Sequence, residues 1–269
     1  MLKNVYIIYN TDKIEAIKFY KESCEYLQKK NVNILSEENI DKADFFIVIG
    51  GDGTLLHASH KIYKYKKPIL GINKGNLGFL TEIKSEEAFQ MYDEILKNNF
   101  TVTKRKFIKV TYNNREIIGL NEAVIAKDGI NSKMINVTAK IDNKYLTTYR
   151  ADGVIIATPT GSTAYSLSVG GPIISPELDV MIINPIAPHT LTARPLIVDN
   201  KKKIEFKIEN NTKTYLLVDG RENIALNCND KIEITMSDEY IELIESKNRD
   251  YYSVLREKLK WGDMHAKRT

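Results

Sequence analysis

Asp44-Phe45-Phe46-Ile47-Val48-Ile49 runs directly into Gly50-Gly51-Asp52-Gly53-Thr54 and on to Leu55-Leu56-His57. An unbroken apolar run rich in β-branched and aromatic side chains reads as a strand buried on both faces of a parallel sheet. The glycines end it. Three glycines around one carboxylate permit a tight turn and a close approach to a ligand, because no Cβ blocks positive φ or an incoming phosphate. This is not a Walker A loop, since no Lys-Ser or Lys-Thr follows, and it lacks the Gly-x-Gly-x-x-Gly spacing of a dinucleotide fingerprint. An isolated Asp-Gly is most often a strand-ending turn. Five specified residues at a strand end point instead to a site, with Asp52 held beside the space the glycines leave.

Working outward, Val5 to Tyr9 reads as a first strand, and Thr11 to Lys30 as a helix with Ile14, Ile17, Tyr20, Cys24 and Leu27 on its inner stripe. Asn33-Ile34-Leu35 is a brief second strand, and a helix follows the glycine-rich loop as far as Ile62. Pro68 to Asn73 is another buried strand, closed by a second glycine-rich loop, Lys74-Gly75-Asn76-Leu77-Gly78-Phe79-Leu80. Ligands of open α/β sheets sit at the carboxyl ends of strands near a switch in strand order, which makes both loops candidate ligand loops. Phe79 either stacks on a base or anchors its loop. Ser85 is placed to cap a helix with Glu86 and Glu87 in its first turn and Phe89, Tyr92 and Ile95 inward.

From about Phe100 the period changes from 3.6 to 2. Strands at 107–111, 116–119, 123–126, 134–141 and 144–149 alternate around the turn dipeptides Asn113-Asn114, Asp128-Gly129 and Asp142-Asn143. Further strands fall at 154–157, 203–208, 215–218 and 232–244, with a hairpin at Val218-Asp219-Gly220-Arg221. The tail returns to helix, with Tyr251, Tyr252, Leu255 and Leu259 on one face before Trp261-Gly262. The expected division is an α/β domain over 1–103, with 253–269 packing back on it, and a β-rich domain over 104–252.

The 269 residues suffice for two medium domains. Lysines and arginines number 39 against 35 acids, spread without an arginine-rich block, which argues against a dedicated nucleic-acid binder. Cys24 and Cys228 lack zinc or disulfide spacing, and Cys24 on its helical stripe reads as a small core residue. No stretch has membrane length or the form of a signal peptide, so a soluble cytoplasmic protein is expected.

The β-rich part carries its own polar constellation. Arg150-Ala151-Asp152-Gly153 leads into a strand, then Thr158-Pro159-Thr160-Gly161-Ser162-Thr163-Ala164-Tyr165-Ser166-Leu167-Ser168. Seven of the residues from Thr158 to Ser168 bear hydroxyls, more than one helix cap starting near Ser162 needs, and they suit ribose or phosphate oxygens. Asn121-Glu122 opens an apolar run, where amide and carboxylate could clamp a vicinal diol or simply form a solvated turn. Asn184-Pro185-Ile186-Ala187-Pro188-His189 reads as a rigid connection, with His189 structural.

Together these stretches resemble the bacterial ATP-dependent NAD kinases, in the order that family shows and over nearly the whole chain. Gly-Gly-Asp-Gly alone is shared with phosphofructokinases and with diacylglycerol and sphingosine kinases; Thr158 to Ser166 is much more specific. The resemblance implies an N-terminal Rossmann-like α/β domain plus a C-terminal all-β sandwich, with NAD between them. It implies Asp52 as general base, Gly53 and Phe79 beside the nucleotide, and Asn121 with Glu122 on NAD hydroxyls or base. Asp152 would reach the nicotinamide end, and Thr163, Ala164, Tyr165, Ser166, Leu167 and Ser168 would line the NAD pocket. His57, Lys133 and Arg150 fall at nucleotide contacts. Two departures stand out: Arg221 replaces a common glutamine after Asp-Gly, and a residue is inserted near 129–133.

The implied reaction is phosphoryl transfer from ATP, with a divalent metal such as Mg²⁺, to NAD. The implied assembly is a homodimer or homotetramer built through the β domain. The residues also admit two rivals: another Gly-Gly-Asp-Gly kinase, acting on a lipid or sugar, and a non-catalytic NAD- or NADP-sensing protein.

Overall fold

The computed structural model describes residues 2–75, 77–129 and 132–261. The chain folds as two compact units; one runs to Lys104 and resumes at Ile241, and the other is Arg105–Tyr240.

The first unit contains β1 (Asn4–Tyr9), α1 (Ile14–Lys29), β2 (Asn33–Ile34), β3 (Phe45–Gly50), α2 (Asp52–Ile62), β4 (Pro68–Asn73), β5 (Ile83–Lys84) and α3 (Ala88–Leu96). Its parallel sheet orders β2-β1-β3-β4, so the chain leaves β1 to one side and resumes on the other. That switch point lies where β3 hands over to α2. Every residue of β3 is buried, as its unbroken apolar run requires. Helix α1 turns Ala16, Phe19, Ser23 and Leu27 inward and leaves Ile14 79% exposed, so the expected stripe is displaced around the helix. Ile14 is the first helical residue, and there the chain has not yet met the core. Ser85 is not the cap of α3; Glu87 occupies that position, and its carboxylate accepts the Lys84 N–H at 3.2 Å.

The second unit is built from β6 (Val102–Tyr112) from Arg105 onward, β7 (Arg115–Gly119), β8 (Glu122–Lys127), β9 (Ile135–Ile141), β10 (Lys144–Ala151), β11 (Gly153–Ala157), α4 (Tyr165–Ser168), β12 (Val180–Ile186), β13 (Leu196–Asp199), β14 (Ile204–Ile208), β15 (Thr214–Val218), β16 (Glu222–Leu226) and β17 (Lys231–Ile244) as far as Tyr240. One sheet orders β13-β12-β11-β8-β15-β16, antiparallel throughout. The other runs β10-β9-β14-β17, with the β6–β7 hairpin joined at β17. Ile125, Ile156 and Leu216 from the first sheet share one buried core with Val137, Phe206 and Ile234 from the second. This is a β-sandwich. Asn113-Asn114, Asp142-Asn143 and Asp219-Gly220 all hold positive φ, between 48° and 65°, the backbone that two-residue hairpins demand.

Two expectations change here. Asn184 and Pro185 belong to strand β12 and not to a connection; β13 pairs with β12 only over Val180–Ile183, so Pro185 lies past that ladder, where its missing N–H is tolerated. The helix expected from Ser162 is a 3₁₀ turn over Thr160–Thr163 followed by the single turn α4.

The chain ends, within the described residues, on α5 (Tyr251–Leu259), which belongs to the first unit. Asp250 caps it by accepting the Ser253 N–H at 2.7 Å, and Ser253 Oγ accepts in return from the Asp250 N–H. Val254 and Leu255 are buried while Tyr252 faces outward, so the inner face differs from the expected one. Gly262 and the rest of the expected returning segment, 262–269, lie outside the described residues. No described helix is long and apolar enough to cross a membrane.

Candidate active site

In the first unit the apolar strand β3 delivers Gly51 to the N-cap of α2, and Asp52 is the first helical residue. Its carboxylate reaches across to the second glycine-rich loop. Asp52 Oδ2 accepts the Phe79 N–H at 2.8 Å, and Oδ1 accepts the N–H groups of Leu80 at 3.0 Å and Thr81 at 3.1 Å, with the Thr81 hydroxyl also at 3.1 Å. The two loops are therefore one structure, clasped by a single side chain. Behind it, Asn73 Nδ2 donates to Thr81 Oγ1 at 2.9 Å. On the near side of β1, Asn10 Nδ2 donates to Thr54 Oγ1 at 3.4 Å.

None of Gly50, Gly51 and Gly53 adopts a positive φ, so the expectation that they serve a left-handed turn is corrected. Gly50 makes room for Thr54, whose Cβ a β-carbon at residue 50 would approach to 2.7 Å. A Cβ on Gly51 or Gly53 would meet nothing within 4 Å, which leaves open space in front of the first peptide groups of α2. Gly53 and His57 are exposed there, and Phe79 is half-buried with Lys258 Nζ of α5 placed 5.5 Å from its ring centre. Phe79 thus has an anchor inside its own unit. Asn76, in the same loop, lies outside the described residues.

The second unit repeats the device. Asp219, at φ 50° in its hairpin, accepts the N–H groups of Leu120 at 2.6 Å, Asn121 at 2.9 Å and Glu122 at 3.0 Å. This fixes the entry into β8 and buries Glu122, which is 8% exposed, with Oε2 lacking a hydrogen-bond partner. Burial, with the Asp219 carboxylate adding to it, pushes the Glu122 carboxyl up to about 8, against a lowering contribution from the Tyr165 backbone N–H. Glu122 lines a cavity of about 430 Å³ together with Val124, Tyr165, Tyr215, Leu217 and Gly220. A mostly apolar hollow with a few convergent polar groups is the usual form of a small-molecule site.

The remaining residues singled out from sequence are distributed unevenly around that cavity. Lys127, which also lines it, holds Asp152 at 2.7 Å. Ser166 is buried, and its hydroxyl accepts from Asn184 Nδ2 at 3.2 Å. Thr158 and Ser162 are likewise turned inward, onto Leu120 O at 2.6 Å and Pro159 O at 2.7 Å. Of the hydroxyl-rich run, Thr160, Thr163, Tyr165 and Ser168 are at least partly open, as are Ala164 and Leu167. A Cβ on Gly161 would fall within 2.7 Å of Asn121 Cα, so glycine there lets this turn lie against the Asp219-held segment. Arg150 does not join the cavity: it borders a separate hollow of about 400 Å³ with Thr148, Thr190, Thr192 and Arg194. Lys133 and Arg221 are exposed, and Ile130 and Asn131, within the inserted stretch, lie outside the described residues. Sequence reading missed Asp219, Thr81, Lys127 and Lys258; for Asp219, the positive-φ hairpin position was the one available signal.

The fold thus consists of an α/β unit presenting a carboxylate at a glycine-rich strand end and a β-sandwich holding a buried acid. Residues 35–100 match the family model described as ATP-NAD kinase N-terminal domain, and residues 120–246 match ATP-NAD kinase C-terminal domain. An NAD kinase of Fusobacterium nucleatum is 44% identical over 96% of this chain and 97% of its own length. One from Thermoanaerobacter sp. is 45% identical over 86% of this chain and 82% of its own length. Among solved structures, yeast NADH kinase complexed with NADH superposes with a TM-score of 0.86 at 26% identity, covering 97% of this chain and 88% of that one. An NAD kinase from Archaeoglobus fulgidus in complex with ATP gives 0.81 at 27% identity, covering 96% and 100%.

The chain belongs to the ATP-NAD kinase family. Its activity is that of an ATP-dependent NAD kinase, and the lipid-kinase, sugar-kinase and sensor readings fall away.

Proposed function

We propose that Asp52 is the general base for transfer of the γ-phosphoryl group of ATP to the 2′-hydroxyl of the adenosine ribose of NAD. The observation that carries this is a carboxylate on the first turn of α2, clasped by four hydrogen bonds, beside two glycines that face open space. A sugar hydroxyl is a poor nucleophile, and a fixed carboxylate that takes its proton as the new bond forms lowers that barrier. The N-terminus of α2 presents peptide N–H groups and the positive end of its dipole, which favour phosphoryl oxygens. No lysine stands within Gly50 to Thr54, so the donor is read as Mg–ATP, with the metal entering as part of the substrate. Gly53, His57 and Phe79 border the nucleotide.

The dinucleotide is read onto the second unit, with Asn121, Glu122 and Asp152 toward its hydroxyls and amide, and Thr163, Ala164, Tyr165, Ser166, Leu167 and Ser168 along its length. The buried, unpartnered Glu122 Oε2 supports this, since a ligand hydroxyl or amide would satisfy it. Arg150, Lys133 and Arg221 are read as outer nucleotide contacts. The chain acts as a homodimer or homotetramer through its β unit, in the cytoplasm, a compartment that suits the free Cys24 and Cys228.

The test is NADP formation from NAD and Mg–ATP by the purified chain. Asp52→Asn should lower kcat by ~10² to 10⁴ with a smaller change in KM. Near wild-type turnover in that variant would overturn the assignment of the base.

A further inference from the structure

We infer that Thr81 and Asn73 are positioning residues that decide which oxygen of Asp52 takes the proton. The inference rests on Asp52 acting as base. Three donors converge on Oδ1: the Leu80 and Thr81 N–H groups and the Thr81 hydroxyl. Oδ2 receives one, the Phe79 N–H. A carboxylate oxygen offers about two lone-pair sites. Oδ1 is therefore over-supplied with donors, while Oδ2 keeps a site for a substrate hydroxyl.

The direction of the relay follows from proton counting. The carboxylate can only accept, so the single Thr81 hydroxyl proton must point to Oδ1, and whatever else touches that hydroxyl must be a donor. Asn73 supplies one: Nδ2 donates to Thr81 Oγ1 at 2.9 Å. The arrangement has a visible cost. Asn73 is 4% exposed, and its Oδ1 has no hydrogen-bond partner. Rotating the amide to satisfy that oxygen would set an acceptor against Thr81 and draw its proton away from Asp52. A buried amide that leaves its own carbonyl unmet in order to orient a neighbour's hydroxyl breaks a local rule, as residues serving a site do.

Steady-state NAD phosphorylation by the full chain tests this, with Asp52→Asn as reference. Thr81→Val keeps the shape and removes the hydroxyl; kcat should fall about 10-fold or more, the scale of one hydrogen bond to a charged group, with KM for NAD and ATP within about 2-fold. Thr81→Ser keeps the hydroxyl and should restore kcat to within about 3-fold of the parent. Asn73→Leu, close in size, uncharged and lacking the donor, should match Thr81→Val and serves if the valine variant fails to fold by circular dichroism. Either folded variant turning over within 2-fold of the parent, while Asp52→Asn is inactive, would overturn the relay and leave the base standing. An active Asp52→Asn would overturn the base itself.

Discussion

Gly78 and Asp52 sit so close that a β-carbon on residue 78 would lie 2.5 Å from Asp52 Cγ, and as near to Thr81 Oγ1. The second loop can receive the carboxylate only because residue 78 has no side chain. Gly78→Ala must displace either the loop or Asp52. Its kcat should fall by ~10²-fold or more, on the scale of a misplaced catalytic group, while the thermal midpoint drops by a few degrees. Kinetics alongside a melting curve would check this, and unchanged kcat would show that the clasp is dispensable.

Asp219 should act on binding and not on chemistry. Asp219→Ala removes the acceptor for three N–H groups at Leu120, Asn121 and Glu122, all in or beside the cavity wall. The expected cost is about 2–4 kcal/mol of stability from unsatisfied donors, with KM for NAD rising well beyond any change in KM for ATP. A variant with equal shifts in both constants would contradict that division.

Glu122 gives the protein a pH signature. Its carboxyl ordinarily titrates near 4.5 and is pushed up to about 8 by burial and by Asp219. Between those values the unfolded chain has released the proton and the folded chain retains it, so folding takes up a proton and stability falls as pH rises through the window. Below about 4.5 this group costs nothing, and above about 8 the cost is complete. The groups around it are Asp219 and Tyr165, with Lys127, Asp128 and Tyr215 lining the same cavity. In urea titrations from pH 5 to 9, Glu122→Gln should gain on the parent with rising pH, by on the order of 3 kcal/mol in all. Parallel curves for the two proteins would refute the protonated carboxyl.

Arg249 ties the segment before α5 to the rest of its unit. It donates to both oxygens of Glu87, at 2.8 and 3.1 Å, and to Glu82 O at 2.9 Å, in a half-buried setting. Lysine cannot reproduce the fork. Arg249→Lys should cost about 1–2 kcal/mol by urea unfolding, whereas Lys97→Ala, on an exposed pair with Glu94, should cost less than about 0.5. Equal effects would mean the fork confers no advantage.

What could be read from the chain was what local pattern encodes. β3 is legible because burial on both faces makes every residue apolar, and the hairpins at 113–114, 142–143 and 219–220 because positive φ selects Asn, Asp and Gly. The clasps were not legible. Asp219 lies nearly a hundred residues from the N–H groups it accepts, and peptide N–H groups leave no mark in a sequence. For the same reason Ser162 and Ser166 could not be told from Thr163: all are hydroxyls in one run, and only the packing of Ile174 and Asn184 against the first two shows them facing inward. Ile14 and Tyr252 misled because apolar spacing gives the period of a helix but not the rotation at which it meets its neighbour.

Three of the four bonds to Asp52 come from main-chain amides, and those atoms are the same whatever residue stands at 79, 80 or 81. As far as the carboxylate is concerned, relatives of this chain are free to drift at positions 79 and 80 without disturbing its orientation. The exception is proline, which has no amide hydrogen to offer; at any of the three positions it would silence one donor and cripple an aspartate almost thirty residues upstream.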